Sequence, residues 1–295
     1  MNKPILTIAI PTYNRAHHLD RQLDWAVRSI ANRWDQLELI VSDNGSHDAT
    51  PQVCARWQQQ SGGQLHVFRH PRNLGLPLNA LHCIQQANGQ YLWLVSDDDE
   101  ILDGVLDWVL HVLSSDHSKE LSFILLNAMM KDKQGKVILE GVYSFINDRF
   151  ENPGSSLFQE CLRHSIAPIG LTGSIYRSQI VKAALERWPS VKDNAAFPLF
   201  LAGYAASRGG MLVRAEPSLA FIEGTTSFKS IWPVVDFYLI PEIYIKLLDE
   251  GYQEEFIRAR ILSNLNLVRF ILKFPIQFLK SIKIYLKAFR LKKYS

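Results

Sequence analysis

At 295 residues, with 47% hydrophobic and 11% aromatic content, the chain can bury a substantial core, which excludes the disordered class. The formal charge of +3 hides an asymmetry: residues 1–257 carry 22 basic and 29 acidic groups, whereas residues 258–295 carry ten basic and none acidic. Two parts with different partners are implied.

The opening MNKPILTIAIPTYNR contains an apolar run shorter than a secretory core and meets a proline and a polar cluster at once, so it is expected to be the first β-strand. Further short apolar runs follow at Leu37 to Ser42, Leu65 to Phe68, Tyr91 to Ser96 and Phe123 to Asn127, after a first at Leu6 to Ile10. Between them the spacing predicts helices at about residues 19–33, 51–60, 77–88 and 103–114, the second opened by Thr50 as cap and Pro51 as first residue. This βαβα rhythm predicts an α/β fold with a mostly parallel sheet flanked by helices. From 135 to 225 the pattern is irregular: a turn at Asp132 to Gly135 feeds a strand near Val137, the segment 166–177 leads back to the sheet, and Trp188 to Gly209 reads as a loop followed by a helix. Beyond about residue 226 the pattern is mainly helical. No apolar stretch reaches the ~18 uncharged residues that a membrane-spanning helix needs. Three widely separated cysteines, Cys54, Cys83 and Cys161, form no CxxC pair and fit a reducing cytoplasm.

Ligands of open α/β sheets bind beyond the carboxyl ends of the strands, so the residues after each run carry the functional signal. Pro11, Thr12, Tyr13, Asn14 and Arg15 follow the first, Asp43, Asn44, Gly45 and Ser46 the second, and Arg72, Asn73, Leu74 and Gly75 the third. Asp97, Asp98 and Asp99 follow the fourth. Three adjacent carboxylates repel one another unless a cation or strong donors compensate, and hard oxygen ligands select Mg²⁺ or Mn²⁺. A bare helix cap is the alternative reading of DDDE, and turn formation that of Pro11, Asn44-Gly45 and Gly75. The triplet's place after a strand, with a second acidic turn ending a neighbouring strand, favours a donor site.

These motifs, IAIPTYNR, LIVSDNGSHDAT and RNLGLPLNALHCIQQANGQYLWLVSDDDE in that order, resemble the inverting family-2 glycosyltransferases of the GT-A fold, over roughly residues 4–115. The resemblance implies a GT-A domain over 1–225, with a nucleotide-sugar-binding half (1–115) and an acceptor half (116–225), followed by a helical extension over 226–295. It places Pro11, Thr12, Tyr13 and Arg15 at the nucleotide pocket, Asp43 as acceptor of a base hydrogen bond, and Arg72 near the nucleotide. Asn73, Gly75 and Asn79 shape the loop beside the donor. Asp97 contacts the ribose or a metal-bound water, Asp99 ligates the cation, and Asp98 lies with them. An inverting transfer also needs a general base, for which Asp193 in SVKDNAAF is the positional match; Asn194 follows it where the family often has a Glu-Asp pair, and Glu186, Glu216 and Glu223 stay open.

The histidines at 17, 18, 66, 70, 82 and 164 show no zinc spacing, and no nucleophile elbow or phosphate loop is present. The tail interleaves bulky apolar residues with cations, with Lys273, Lys280 and Lys287 seven residues apart. An amphipathic helix over 261–293 is expected, lying on anionic phospholipid at about 1 kcal/mol per basic residue or packed on protein. Nucleic acid is not an expected partner, because the tail is too apolar. The resulting expectation is a cytoplasmic enzyme, peripheral on the inner membrane face, that passes a sugar from a nucleotide-sugar donor to a lipid-linked or oligosaccharide acceptor with the help of Mn²⁺ or Mg²⁺. Bacterial surface polysaccharide assembly, such as O-antigen, is the setting the resemblance implies. Alternatives are nucleotidyl transfer to a sugar phosphate and a non-catalytic membrane-associated scaffold.

Overall fold

The computed structural model describes residues 3–164, 170–222, 232–262 and 275–291. Its first half alternates strands β1 (Leu6–Thr12), β2 (Leu37–Asp43), β3 (Leu65–Arg69) and β4 (Tyr91–Leu94) with helices α1 (Ala16–Ile30), α2 (Thr50–Gln60) and α3 (Leu76–Gln86). The second half adds β5 (Glu100–Ile101), α4 (Val105–Leu113), β6 (Leu121–Lys131), β7 (Val137–Leu139), β8 (Arg149–Glu151), α5 (Ser155–His164), β9 (Ser174–Arg177), α6 (Ser178–Arg187), α7 (Phe197–Ala206) and β10 (Gly210–Ile222). The strands form one sheet in the order β3-β2-β1-β4-β9-β6-β10-β5, with β7 on β6 and β8 on β10.

Strand direction sets where the site lies. Strands β3, β2, β1 and β4 pair in parallel. Strand β9 is antiparallel to both β4 and β6, so β6 runs in the same direction as β4, and β10 is parallel to β6. The carboxyl ends of β1, β2, β4, β6 and β10 therefore share one edge. Helices α1, α2 and α4 bury Leu19, Leu23, Val53 and Val109 on one face of the sheet. Helices α3, α5, α6 and α7 bury Ala80, Phe158, Val181 and Phe200 on the other. Both faces being covered, the strands read as continuous apolar runs rather than alternating ones.

Two elements differ from the sequence expectation for identifiable reasons. Helix α1 starts at Ala16, three residues before the expected start, because Asp48 Oδ2 accepts the Ala16 amide at 3.1 Å; it stops at Ile30 where Ala31 turns to φ 49°. Strand β10, inside the segment that looked irregular, carries two ladder shifts around Pro217, which lacks an amide and breaks the two-residue period that announces a strand.

After residue 231 come α8 (Trp232–Val234), α9 (Ile240–Leu248), α10 (Glu254–Leu262) and α11 (Pro275–Arg290). Leu247 of α9 and Phe256 of α10 join the core formed by Phe158 and Phe200. Helix α11 divides into three sectors at 100° per residue. Ser281, Tyr285 and Ala288 are buried against the protein. Leu279, Leu286 and Phe289 are exposed on a second sector, and Lys280, Lys283, Lys287 and Arg290 are exposed on a third. The tail helix thus packs on protein and still presents an apolar stripe bordered on one side by cations, among which the exposed Ile276 also lies; Lys273 lies outside the described residues. Among the described residues no helix is long and apolar enough to cross a membrane.

Candidate active site

Strand register places Thr12, the last residue of β1, directly beside Asp43, the last of β2. The Thr12 hydroxyl then crosses to the other neighbour and donates to Asp97 Oδ2 at 2.7 Å. Arg15, just past the same strand, donates to Asp97 Oδ1 at 3.0 Å and to Asp98 Oδ2. Asp98 Oδ1 accepts the Ser96 hydroxyl at 2.6 Å. Asp99 Oδ2 accepts the hydroxyl of the buried Thr172. The mutual repulsion of the three carboxylates is thus offset by a separate donor for each.

Thr172 carries no motif or spacing signal in the sequence, although it lies in the segment expected to lead back to the sheet. Its hydroxyl also accepts the Ser96 amide at 2.9 Å, and its carbonyl accepts Trp93 Nε1 at 2.7 Å. One side chain therefore ties the aspartate loop to the turn before β9. Burial raises the Asp99 carboxyl to about 6, against the Thr172 hydrogen bond that opposes the rise. Burial likewise raises Asp97, opposed by Thr12 and Arg15.

Asp43 is 1% exposed and ends β2. Its Oδ1 accepts the Ser46 amide at 2.9 Å. Its Oδ2 lies 3.2 Å from Arg69 Nε without hydrogen-bond geometry, which leaves a buried acceptor oxygen next to a cation. The turn that follows depends on Gly45, at φ +74°, where a Cβ would meet the Arg72 backbone at 2.9 Å. The two loops are pinned to each other: Asn44 Nδ2 donates to Asn73 Oδ1 at 2.8 Å, and Asn44 Oδ1 accepts the Leu74 amide at 2.9 Å. Asn73 Oδ1 also accepts the Gly75 amide at 2.8 Å, and Gly75 at φ +86° leads into α3. Asn79, buried on α3, donates to the carbonyls of Ser42 and Thr12 at 2.9 and 3.3 Å and accepts the Ser42 hydroxyl at 2.7 Å. It straps the ends of β1 and β2 together. Pro11 is buried within β1, Tyr13 is half-buried, and Arg72 is exposed.

Among the described residues, Asp193 shares no hydrogen bond or ion pair with this group. It is exposed at the end of a 3₁₀ turn, Pro189–Asp193, which packs against α3. The next residue, Asn194, is buried and donates to Leu239 O at 3.0 Å and Glu242 Oε2 at 2.9 Å, so it anchors the turn to the C-terminal helices. Of the other acidic candidates, Glu216 is exposed and paired with Arg214 at 2.9 Å, Glu186 lies on α6, and Glu223 lies outside the described residues.

Among the described residues, no three His, Cys, Asp or Glu side chains converge as a preformed metal cage. Mg²⁺ and Mn²⁺ do not require one when a substrate diphosphate and water complete the shell. Asp99 suits such a site: it is a hard oxygen donor, one oxygen is fixed by Thr172, and Oδ1 carries no hydrogen bond among the described residues.

Comparison with known proteins identifies the family and the fold. The family model Glycosyl transferase family 2 matches residues 7–160. The abequosyltransferase RfbV of Salmonella typhimurium is 28% identical over 203 residues, covering 65% of this chain and 56% of the relative. The GalNAc(5)-diNAcBac-PP-undecaprenol beta-1,3-glucosyltransferase of Campylobacter jejuni is 32% identical over 108 residues, covering 36% and 34%. The chain thus aligns with about half or less of these relatives' lengths. Among solved structures, S. aureus TarS 1-349 in complex with UDP-GlcNAc superposes with a TM-score of 0.69 at 17% identity, over 96% of this chain and 81% of that one. The mannosyltransferase PcManGT of Pyrobaculum calidifontis, in complex with GDP-Man and Mn²⁺, gives 0.60 at 16% identity, over 100% and 77%. With the GT-A fold and more than half its length matched, the chain belongs to glycosyltransferase family 2.

Proposed function

We propose that the protein transfers a sugar from a nucleotide-sugar donor to a hydroxyl of a lipid-linked or oligosaccharide acceptor, with inversion, in bacterial surface polysaccharide assembly of the O-antigen type. One observation carries the reading: the buried, unbonded Asp43 oxygen and the Asp97–Asp99 group sit at the carboxyl ends of β2 and β4 on either side of β1, with Thr12 touching both neighbourhoods. A nucleoside diphosphate needs an acceptor for a base N–H at one end and charge compensation at the other, and this edge supplies both.

In this reading Asp43 Oδ2 accepts a base N–H, and Asp97, oriented by Thr12, meets the ribose or a metal-bound water. Arg15, held by Asp97 and Asp98, places a cation beside the diphosphate. Asn44, Asn73 and Gly75 hold the loop that closes over the base, with Arg72 at its rim. A divalent cation, Mn²⁺ or Mg²⁺, held by Asp99 would neutralise charge developing on the departing nucleoside diphosphate. The acceptor oxygen attacks the anomeric carbon from the opposite side as the bond to the diphosphate breaks, and Asp193 takes the hydroxyl proton. The names of the Salmonella and Campylobacter relatives, an abequosyltransferase and a glucosyltransferase specified by an undecaprenol-linked glycan, support the substrate class. Peripheral attachment to the anionic inner face of the membrane, through the exposed stripe and cations of α11, belongs to the same reading.

The test is product analysis with UDP-, dTDP-, CDP- and GDP-sugars and a membrane extract as acceptor source. Release of one nucleoside diphosphate with glycan extension is expected. Pyrophosphate release from a sugar phosphate and a nucleoside triphosphate would move the protein to nucleotidyl transfer.

A further inference from the structure

At the carboxyl end of β6 the chain leaves the sheet in a hairpin that the sugar chemistry does not use. Asp132 builds the turn: its Oδ1 accepts the amides of Gln134 and Lys136, both at 2.9 Å. Strand β7 returns along β6, and Val137, Ile138 and Leu139 are 41 to 46% exposed, so both faces of this short strand meet solvent. Ile146, further along the same excursion, is 95% exposed. Three consecutive exposed aliphatic residues are costly to solubility unless they serve a contact. Lys133 and Lys136 stand exposed at the tip beside them.

The hairpin also has a defined place relative to the chemistry. Strand β6 is parallel to β4, so the hairpin springs from the edge that carries Asp97–Asp99. Its root is tied to that site, because Lys131 Nζ pairs at 3.0 Å with Glu100, the residue after Asp99. A bare protein partner of unspecified kind would not need this combination. Lys133 and Lys136 are offset by Asp132 and the exposed Glu140, so the aliphatic residues and not net charge carry the contact. An apolar wedge beside a site read as taking a lipid-linked acceptor matches a phospholipid surface, with aliphatic side chains entering the interface and the lysines reaching the headgroups.

We propose that the β6–β7 hairpin, through Val137, Ile138 and Leu139, inserts into the membrane surface and holds the catalytic edge of the sheet against the lipid that carries the acceptor. It rests on the reading of a lipid-linked acceptor and is a second contact, separate from α11. The two contacts have different consequences: α11 supplies the electrostatic part of the attachment, and the hairpin adds apolar affinity and sets which edge faces the membrane.

The native cysteines at 54, 83 and 161 are all buried, so the Ile138→Cys variant of the full chain can be labelled selectively with an environment-sensitive fluorophore. Gln59→Cys, exposed on α2, serves as the control position. With vesicles of phosphatidylcholine and phosphatidylglycerol, the label at 138 should shift to the blue, brighten several-fold and be quenched by bilayer-resident nitroxide lipid, while the label at 59 stays unchanged. In unlabelled protein, the double variant Val137→Asp with Ile138→Asp should bind these vesicles roughly tenfold more weakly. A label at 138 that stays aqueous while the protein sediments with vesicles overturns the proposal, as does the absence of any sedimentation. A concentration-dependent shift without vesicles also overturns it, in favour of contact with a second copy. A metal-dependent thermal shift with nucleotide, measured on the same double variant, is expected to be unchanged; its survival when the lipid readouts fail would separate loss of this proposal from loss of the donor-site reading.

Discussion

The Thr172 hydroxyl donates to Asp99 Oδ2 while accepting the Ser96 amide at 2.9 Å, so a residue of the second half of the chain fixes the carboxylate that ends the first-half motif. Removing that donor leaves the Asp99 side chain without its buried partner. Hydrogen bonds to charged groups contribute about 1.5–3 kcal/mol, so Thr172→Val should weaken metal-dependent nucleotide binding by roughly tenfold to a hundredfold. Thr172→Ser should restore most of it. Calorimetric titration of nucleoside diphosphate with and without Mn²⁺ measures both variants, and equal affinity in all three proteins would remove Thr172 from the site.

The raised Asp99 carboxyl gives the site a pH signature. A carboxylate holds a divalent cation only when ionised, so metal-dependent nucleotide affinity should fall as pH drops through about 6. The sign for stability is opposite in the metal-free protein. Because the folded-state value lies above the ordinary carboxylate range, Asp99 contributes stability at low pH that is lost as pH rises through about 6. Melting curves across that interval should show Mn²⁺ protection that grows with pH, and Asp99→Asn should flatten the dependence.

Gly45 couples the Asp43 turn to the Arg72 loop through contact rather than chemistry. An alanine there would adopt φ +74° and press its Cβ on the Arg72 backbone. Gly45→Ala should cost roughly 1–3 kcal/mol of stability and weaken nucleotide binding even in the folded fraction. Chemical denaturation read beside nucleotide titration separates the two effects.

Helix α11 makes an electrostatic prediction. At about 1 kcal/mol per basic residue near an anionic surface, replacing Lys280, Lys283, Lys287 and Arg290 together by Gln should abolish vesicle binding, with steep salt dependence in the parent protein. Sedimentation with phosphatidylglycerol vesicles reads this directly, and salt-independent binding of the variant would place the contact elsewhere.

Much of the first half of the chain is legible in the sequence because each strand there is a continuous apolar run closed by a polar turn. Asp43 and Asp97 announce themselves by following such runs. The second half is harder to read. Strand β10 is broken at Pro217 by register shifts, β5 has two residues, and α7 is buried on every side, so none shows a clean period. Thr172 was hidden for another reason: a lone threonine has no spacing signature, and its role exists only once β9 is inserted beside β4. Asn79 reads as a polar residue near a ligand loop, and the fold gives it backbone carbonyls to hold. Asn44 reads as a turn former, yet it carries the hydrogen bonds that join two loops.

The central claim is that the edge formed by Asp43 and Asp97–Asp99 binds a nucleoside diphosphate together with a divalent cation. A thermal-shift panel of UDP, dTDP, CDP and GDP, each with and without Mn²⁺, on the parent protein and on Asp99→Ala tests it most directly. A rise in melting temperature is expected with one nucleotide class, dependent on Mn²⁺ in the parent and lost in the variant. A well-folded parent that responds to none of the four, or an Asp99→Ala protein that keeps the full Mn²⁺ response, would contradict it.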